Sequence, residues 1–376
     1  MSGLIVHEWI EKHGGAERVL DSMIETYPEA AVSCLWNTVP ERYPNSKVTE
    51  SWFARSPLRG HKALSLPMMP PTWRNLRSDD DVDWMLISSH LFAHHARLAG
   101  QADVRKYVYV HTPARYIWAP ELDTRGKSPA VMLAAPLLKH LDRRRASEPS
   151  EIAANSAFIQ DRIMTSWHRE SRVIYPPVGV ARLQSEPNWR DRLTDLELDF
   201  METLPPVFVL GASRFVPYKR LDLVIEAGEV AGVPVVLAGS GPMLPELANL
   251  AANAKVRVII AASPSDELLY ALYQRALAFV FPGVEDFGLM PVEAMALGTP
   301  AIVQEIGGAA ESVRAVNGGI VVNELSAESI AEAISLCEHL DMAAVPNRVC
   351  EQFDEAVFRR HLSDWMSDVN PSAADA

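Results

Sequence analysis

The sequence predicts an α/β protein made of two doubly wound, Rossmann-like units in tandem. Three observations predict it. Short apolar runs alternate with helical stretches along nearly the whole chain. The alternation restarts after a break at 174–206 that holds Pro176, Pro177, Gly179, Pro187, Pro205 and Pro206. The 376 residues are too many for one ordinary core and suit two domains.

The first unit opens on an apolar run at 4–6, a loop with Gly14 and Gly15, and a helical stretch at 16–26. Strands are expected at 32–36, 84–88, 107–111 and 152–155, the last followed by a helix over 157–167. The Pro-Pro pairs of 174–206 hold the chain extended, so this segment reads as the interdomain connection. The second unit has strands at 207–210, 233–237, 256–260, 277–281, 301–303 and 319–322. Helices fall at 220–231, after the GSGP run at 239–242, at 266–274 and from about 289. The last ~45 residues read as helices broken at Pro346. Two such units place a ligand crevice at the carboxyl ends of their strands.

Composition narrows the function classes. Net charge is −13, which argues against a protein that grips nucleic-acid phosphates. Residues 1–180 carry 22 Lys+Arg against 20 Asp+Glu, whereas residues 181–376 carry 13 against 28. The two units therefore present different surfaces. No run of ~18 apolar residues suggests a membrane span. The N-terminus lacks the basic and apolar regions of a signal peptide. Cys34, Cys337 and Cys350 are scattered, which fits a reducing cytoplasm and no zinc or disulfide framework.

Four segments could carry chemistry. In GVEDFGLMPVEAMALGTPAIV (283–303), Glu285 follows a buried strand and Glu293 lies eight residues on, in the next helix. The amides around Gly288–Met290 open that helix, and Pro291 suits its first turn. Two carboxylates repel phosphate, so they are expected to face hydroxyls. In GASRFVPYKRLDLVIEA (211–227), Arg214 and Lys219 flank a turn at Pro217 and can neutralise a diphosphate without a metal ion. Gly14 and Gly15 let backbone approach a ligand or a neighbour, although a plain turn explains them equally. His111 closes a strand at Thr112-Pro113 and stands at the sheet's ligand-facing edge.

Together these segments resemble the retaining GT-B glycosyltransferases of family 4, a group with many α-mannosyltransferases. The resemblance runs nearly end to end: HEWIEKHGGAERVL, YVHTPARYIW, IAANSAFIQDRI, VIYPPV, GASRFVPYKRLDLVIEA, LAGSGP and EDFGLMPVE. It implies two Rossmann-like domains facing each other across a cleft. These are an acceptor-binding domain at 1–178 and a donor-binding domain at 179–352, with a C-terminal helix at 353–370 crossing back. It implies that Arg214 and Lys219 hold the donor diphosphate, that Glu285 contacts the transferred sugar and that Glu293 contacts the ribose. Phe287, Gly288 and Leu289 would offer backbone contacts to the sugar, and His111 would sit beside it. Gly15 would lie near the phosphates or acceptor, and Gly239, Gly241, Ser263 and Pro264 near the base. Gly14, His94 and Trp118 are placed toward the acceptor.

The expected reaction moves a hexose, in the first instance mannose from GDP-mannose, to a saccharide or lipid-linked acceptor of bacterial surface polysaccharide or glycolipid. No metal or other cofactor is called for. The leaving phosphate would take the acceptor proton on the same face, since no glycosidase-like carboxylate pair is evident. Alternatives stay open: a UDP-sugar donor, giving a glucosyl- or N-acetylglucosaminyltransferase; an epimerase or phosphorylase on the same architecture; or a sugar-nucleotide-binding subunit without turnover.

Other signals carry less. The DDDVD run at 79–83 precedes its strand, the wrong end for a metal-binding DxD, and reads as a solvated turn. His90 and His94 have helical metal-ligand spacing but no evident third ligand, and His94 and His95 are expected near the acceptor cleft or on the surface. The basic run 139–145 behind VMLAAPLL could lie on an anionic membrane or be a solvated helix face. Trp52, Phe53, Met68, Met69 and Trp73 form an apolar edge or part of the core. The expected location is cytoplasmic, at the inner membrane face where membrane contact occurs.

Overall fold

A computed structural model describes residues 2–78, 80–101, 103–120 and 129–368. Asp79 of the acidic run, the side chains at 131–134 and positions 369–370 of the expected C-terminal helix lie outside the described residues. The chain divides into two compact units. One comprises the described residues of Met1–Pro177 together with those of Ala356–Ala376; the other is Val178–Glu355.

Among the described residues, the first unit is built on seven parallel strands: β1 (Gly3–His7), β2 (Ala31–Cys34), β3 (Val48–Glu50), β4 (Trp84–Ser89), β5 (Arg105–Val110), β6 (Glu151–Ala154) and β7 (Arg172–Val173). Their order is β3-β2-β1-β4-β5-β6-β7. All five residues of β1 are buried, because helices cover both faces of a parallel sheet and its central strands must be apolar throughout. The winding reverses between β1 and β4, where His7 pairs in register with Ser88. Ligands bind doubly wound sheets at this kind of reversal, outside the strand carboxyl ends.

One face of this sheet is closed by Val19, Leu20 and Met23 of the helix Gly15–Thr26. The same cluster takes in Phe358, Leu362, Trp365 and Met366 of the helix Glu355–Asp368. The other face packs Phe53, Met69, Trp73, Phe92 and Trp167.

The second unit repeats the plan with six parallel strands: β8 (Val209–Ala212), β9 (Val235–Gly239), β10 (Val258–Ala262), β11 (Ala278–Phe281), β12 (Ala301–Gln304) and β13 (Gly319–Val322). The order is β10-β9-β8-β11-β12-β13, so its reversal lies between β8 and β11. Leu221, Val224, Ile225, Ile330 and Ile334 pack one face of this sheet.

Several expectations are corrected. Residues 174–206 are not an extended connector. From Val178 onward they belong to the second unit and form the helices Val180–Gln184, Trp189–Arg192 and Asp195–Thr203. Trp189 is buried against Tyr270, 4.8 Å between ring centroids, and a capping box of Thr194 and Glu197 starts the last helix. Pro176-Pro177 lies at the boundary between the units, whereas Pro205-Pro206 follows the helix Asp195–Thr203 inside the second unit. The apolar residues at 52–73 divide: Phe53, Met69 and Trp73 are core, while Trp52 and Met68 are exposed. Among the described residues, no helix is long and apolar enough to cross a membrane.

Candidate active site

In the second unit the reversal point assembles the Lys219 and Glu285 expected from the sequence. The turn after β8 runs through Pro217–Lys219, and Arg220 takes a left-handed conformation to start the next helix. That turn drops the Lys219 side chain into a nearly buried position, where Nζ bonds Glu285 Oε1 from the loop after β11. The ammonium also lies 5.1 Å from the Phe281 ring centroid and 5.3 Å from that of Tyr218. Both are cation–π distances. Arg214 is exposed and donates to Tyr218 Oη at 2.7 Å, so the two cations flank one aromatic ring. The sequence reading gives Lys219 and Glu285 separate ligands; in the structure they are each other's partner. Gly283 makes this possible, since a Cβ there would come 3.1 Å from Lys219 Cδ.

Gly288 has φ +85 and caps the helix Leu289–Ala296, which begins where the sequence places it. Glu293 is 4% exposed within this helix, and Phe287 is buried edge-on to Phe353 at 5.6 Å. Gly308 donates its amide to the Glu285 carbonyl at 2.9 Å, which ties the loop after β11 to the loop after β12.

The glycines of the GSGP run have a second purpose. A Cβ on Gly239 would sit 1.9 Å from the Ser213 carbonyl oxygen, and one on Gly241 would sit 2.5 Å from that of Phe215. The loop bearing Arg214 is thus pressed against 239–241 and bonded to it, Phe215 N to Ser240 O at 2.7 Å. Ser263, in a left-handed conformation before Pro264, donates its amide to the Gly239 carbonyl at 2.8 Å. These positions fix the loop bearing Arg214 whatever they contact beyond it.

In the first unit, His111 follows β5 and its amide bonds the Ser89 carbonyl at 2.8 Å. Its Nε2 lies 2.8 Å from Ser88 Oγ, which lies 2.9 Å from His7 Nδ1. Burial lowers the His111 pKa to about 4 and, with help from His111 and Arg42, that of His7 to about 3. Glu8, fully buried, accepts the amides of His90, Leu91 and Ala93. Burial raises it to about 7 despite those bonds. The Gly14-Gly15 turn is closed by Glu17, whose carboxylate would collide with a Cβ on Gly14 and accepts the Glu11 amide at 3.3 Å.

His94 and His95 are corrected. They are buried, in the short turn Ala93–His95, not on a surface. His90 is not their companion; its ring packs on Trp9 at 4.7 Å. The third member of the group is Asp142, supplied by the helix Pro129–Ala146. His94 Nε2 and His95 Nε2 each lie 3.0 Å from Asp142 Oδ1. The indoles of Trp118 and Trp167 donate to Oδ2 at 2.7 and 2.6 Å. Burial opposes ionisation of Asp142, yet the two imidazoles hold it well below the usual carboxylate range. His94 and Trp118 therefore serve a buried anion that ties the helix 129–146 to the sheet. The basic run on that helix is partly used internally: Arg143 bonds the Ser166 carbonyl and Arg145 bonds Glu148. Sequence reasoning missed Ser88 and Asp142, whose partners come from distant segments, and Tyr218, whose partners Arg214 and Lys219 are local.

The family model of glycosyl transferases group 1 matches residues 202–356. The chain is 26% identical over 288 residues to the GDP-mannose-dependent alpha-(1-6)-phosphatidylinositol monomannoside mannosyltransferase of Mycobacterium tuberculosis, covering 72% of this chain and 70% of that one. It is 26% identical over 298 residues to the D-rhamnosyltransferase WbpZ of Pseudomonas aeruginosa, covering 70% and 72%. The crystal structure of Anabaena HepE in complex with UDP superposes with a TM-score of 0.69 at 19% identity, over 98% of this chain and 100% of that one, a likeness of fold. The E-x7-E segment and the Arg/Lys loop lie inside the family match and both parallel sheets inside the structural one, so the chain is a glycosyltransferase of the GT-B fold whose residues 202–356 match the group 1 family model.

Proposed function

We propose that this enzyme transfers a hexose, with mannose from GDP-mannose the preferred donor, to a saccharide or lipid-linked acceptor with retention of configuration and without a metal ion. The observation that carries the reading is the Lys219–Glu285 contact beside Arg214 and Tyr218, at the carboxyl ends of β8 and β11. A diphosphate entering there meets two cations, and the carboxylate released from Lys219 can turn to a sugar hydroxyl. Lys219 and Arg214 then stabilise the departing nucleoside diphosphate. Its phosphate oxygen removes the acceptor hydroxyl proton as the new glycosidic bond forms on the same face. Glu293 serves the ribose, the 287–289 backbone and His111 serve the sugar, and the loops at Gly15, Gly239, Gly241, Ser263 and Pro264 bound the nucleotide. The GDP-mannose preference draws on the name of the mycobacterial relative. Thermal-shift titration with GDP, UDP and ADP, followed by nucleotide release from the matching sugar donors, tests it. A shift and release confined to UDP would replace GDP-mannose by a UDP-sugar; binding without release would mark a non-catalytic subunit.

A lipid-linked acceptor would bring the enzyme to a membrane. Trp52, Leu64 and Met68 are exposed at 48%, 68% and 45%, in a stretch from 51 to 78 that carries Arg55, Arg59 and Lys62 and no acidic residue. This is the composition of a surface that settles on anionic lipid.

A further inference from the structure

The contacts of Ser88 decide which nitrogen of His111 carries its proton. A serine hydroxyl has one proton to give. Ser88 Oγ is within hydrogen-bond distance of two imidazole nitrogens, His7 Nδ1 at 2.9 Å and His111 Nε2 at 2.8 Å. Burial keeps both rings neutral near pH 7. The charged and titratable neighbours include Tyr109, 5.3 Å from His111 between ring centroids, His90, 5.8 Å from His7 and 6.1 Å from His111, Glu8 beside His90, and Arg42.

Four arrangements exist for neutral rings. In the first, His7 Nδ1–H donates to Ser88 and Ser88 donates to His111 Nε2. His111 then carries its proton on Nδ1, and His7 Nε2 is a bare lone pair. In the second, the direction reverses and His7 Nε2 becomes an N–H. In the third, both rings donate to Ser88, whose own proton then lacks an acceptor. In the fourth, neither ring donates to Ser88, and His7 Nε2 is again an N–H.

Burial separates them. His7 and Ser88 are both 0% exposed, and His7 Nε2 has no hydrogen-bond partner among the described residues. An orphaned N–H or O–H in the interior is rarer than an under-used acceptor. The second, third and fourth arrangements each bury an orphaned donor; the first buries only a lone pair. We infer that His7 and Ser88 are positioning residues that hold His111 as the Nδ1–H tautomer, so that its partly exposed ring offers an N–H donor and not a base. Such a donor suits an oxygen of the transferred sugar. It also leaves proton removal from the acceptor to another group. The role at the sugar rests on the proposed function; the tautomer does not.

The test is a two-bond ¹⁵N–¹H correlation spectrum of the full chain labelled with ¹⁵N-histidine, recorded at pH 7 and assigned with His111→Gln. The expected spectrum has a protonated Nδ1 and an unprotonated Nε2 for His111. A wild-type His111 protonated on Nε2 overturns the inference without recourse to any variant. Ser88→Ala is expected to mix the tautomers and to lower kcat about tenfold, with the donor KM within about twofold. Ser88→Thr, which keeps the hydroxyl, restores both spectrum and rate. An Ser88→Ala spectrum like wild type refutes the positioning role. If the spectra are as expected but His111→Gln turns over at the wild-type rate, the hydrogen-bond chain stands and the proposed role at the sugar fails.

Discussion

Replacing Lys219 by Met separates the structural and chemical duties of one side chain. The side chains of Lys219 and Glu285 are 7% and 20% exposed. Attraction between unit charges at about 4 Å is about 4 kcal/mol at an effective dielectric near 20, much of it offset by desolvation. Removing one partner of a fully buried pair costs about 3–5 kcal/mol; the partial exposure of Glu285 reduces this to about 2 kcal/mol. Methionine keeps an apolar stem against Phe281 and Tyr218, so packing changes little. The expected fall in Tm is about 4–8 °C. Turnover should fall further, by about 10²–10³-fold in nucleotide release, because the ammonium is proposed to stabilise charge that develops on the leaving diphosphate. Lys219→Met/Glu285→Gln removes both charges and should regain most of the lost Tm while remaining inactive. Turnover of Lys219→Met within about twofold of wild type refutes the diphosphate role. Recovery of turnover in the double variant reduces the pair to a structural contact.

Other predictions concern stability and surface. Gly241→Ala forces a Cβ to 2.5 Å from a backbone oxygen at φ +150 and should cost about 2–4 kcal/mol in urea unfolding. Gly232→Ala, at φ +68 with nothing within 4 Å, should cost only about 1 kcal/mol, and equal losses would refute the close-packed-loop account. Stability should fall on acidification. His7, His95 and His111 have folded pKa values of about 3, 4 and 4, so below pH ~6.5 the unfolded chain binds three more protons. Glu8, raised to about 7, returns one to the folded state. The net two protons give a slope of roughly 3 kcal/mol per pH unit between pH 6 and 5, and a flat urea-unfolding profile there would contradict it. Changing Trp52, Leu64 and Met68 together to Ser should abolish low-salt pelleting with anionic vesicles; undiminished pelleting would exclude this surface.

The sheets were legible where burial on both faces enforces apolar runs, as in GLIVH of β1 and AFVF of β11. They were illegible at the edges, where β3 is VTE and β7 is two residues, too short and too exposed for periodicity to register. The loops after β8 and β11 were legible because Arg214, Lys219, Glu285 and Glu293 cluster within two short segments beside strand ends. Asp142 was not, since its four partners come from residues 94, 95, 118 and 167. Ser88 reads as an ordinary strand residue until β1 and β5 bring an imidazole to each side of it. The helices at 180–203 were hidden by prolines that sit at their boundaries.

The second unit is an insertion in the sequence of the first, whose apolar interior includes Phe358, Leu362, Trp365 and Met366 from beyond it. On the ribosome, the part made earliest therefore waits for the last helix before it can seal, while the inserted unit is fully synthesised beforehand. The first unit therefore completes its core only after the whole of the second has been made.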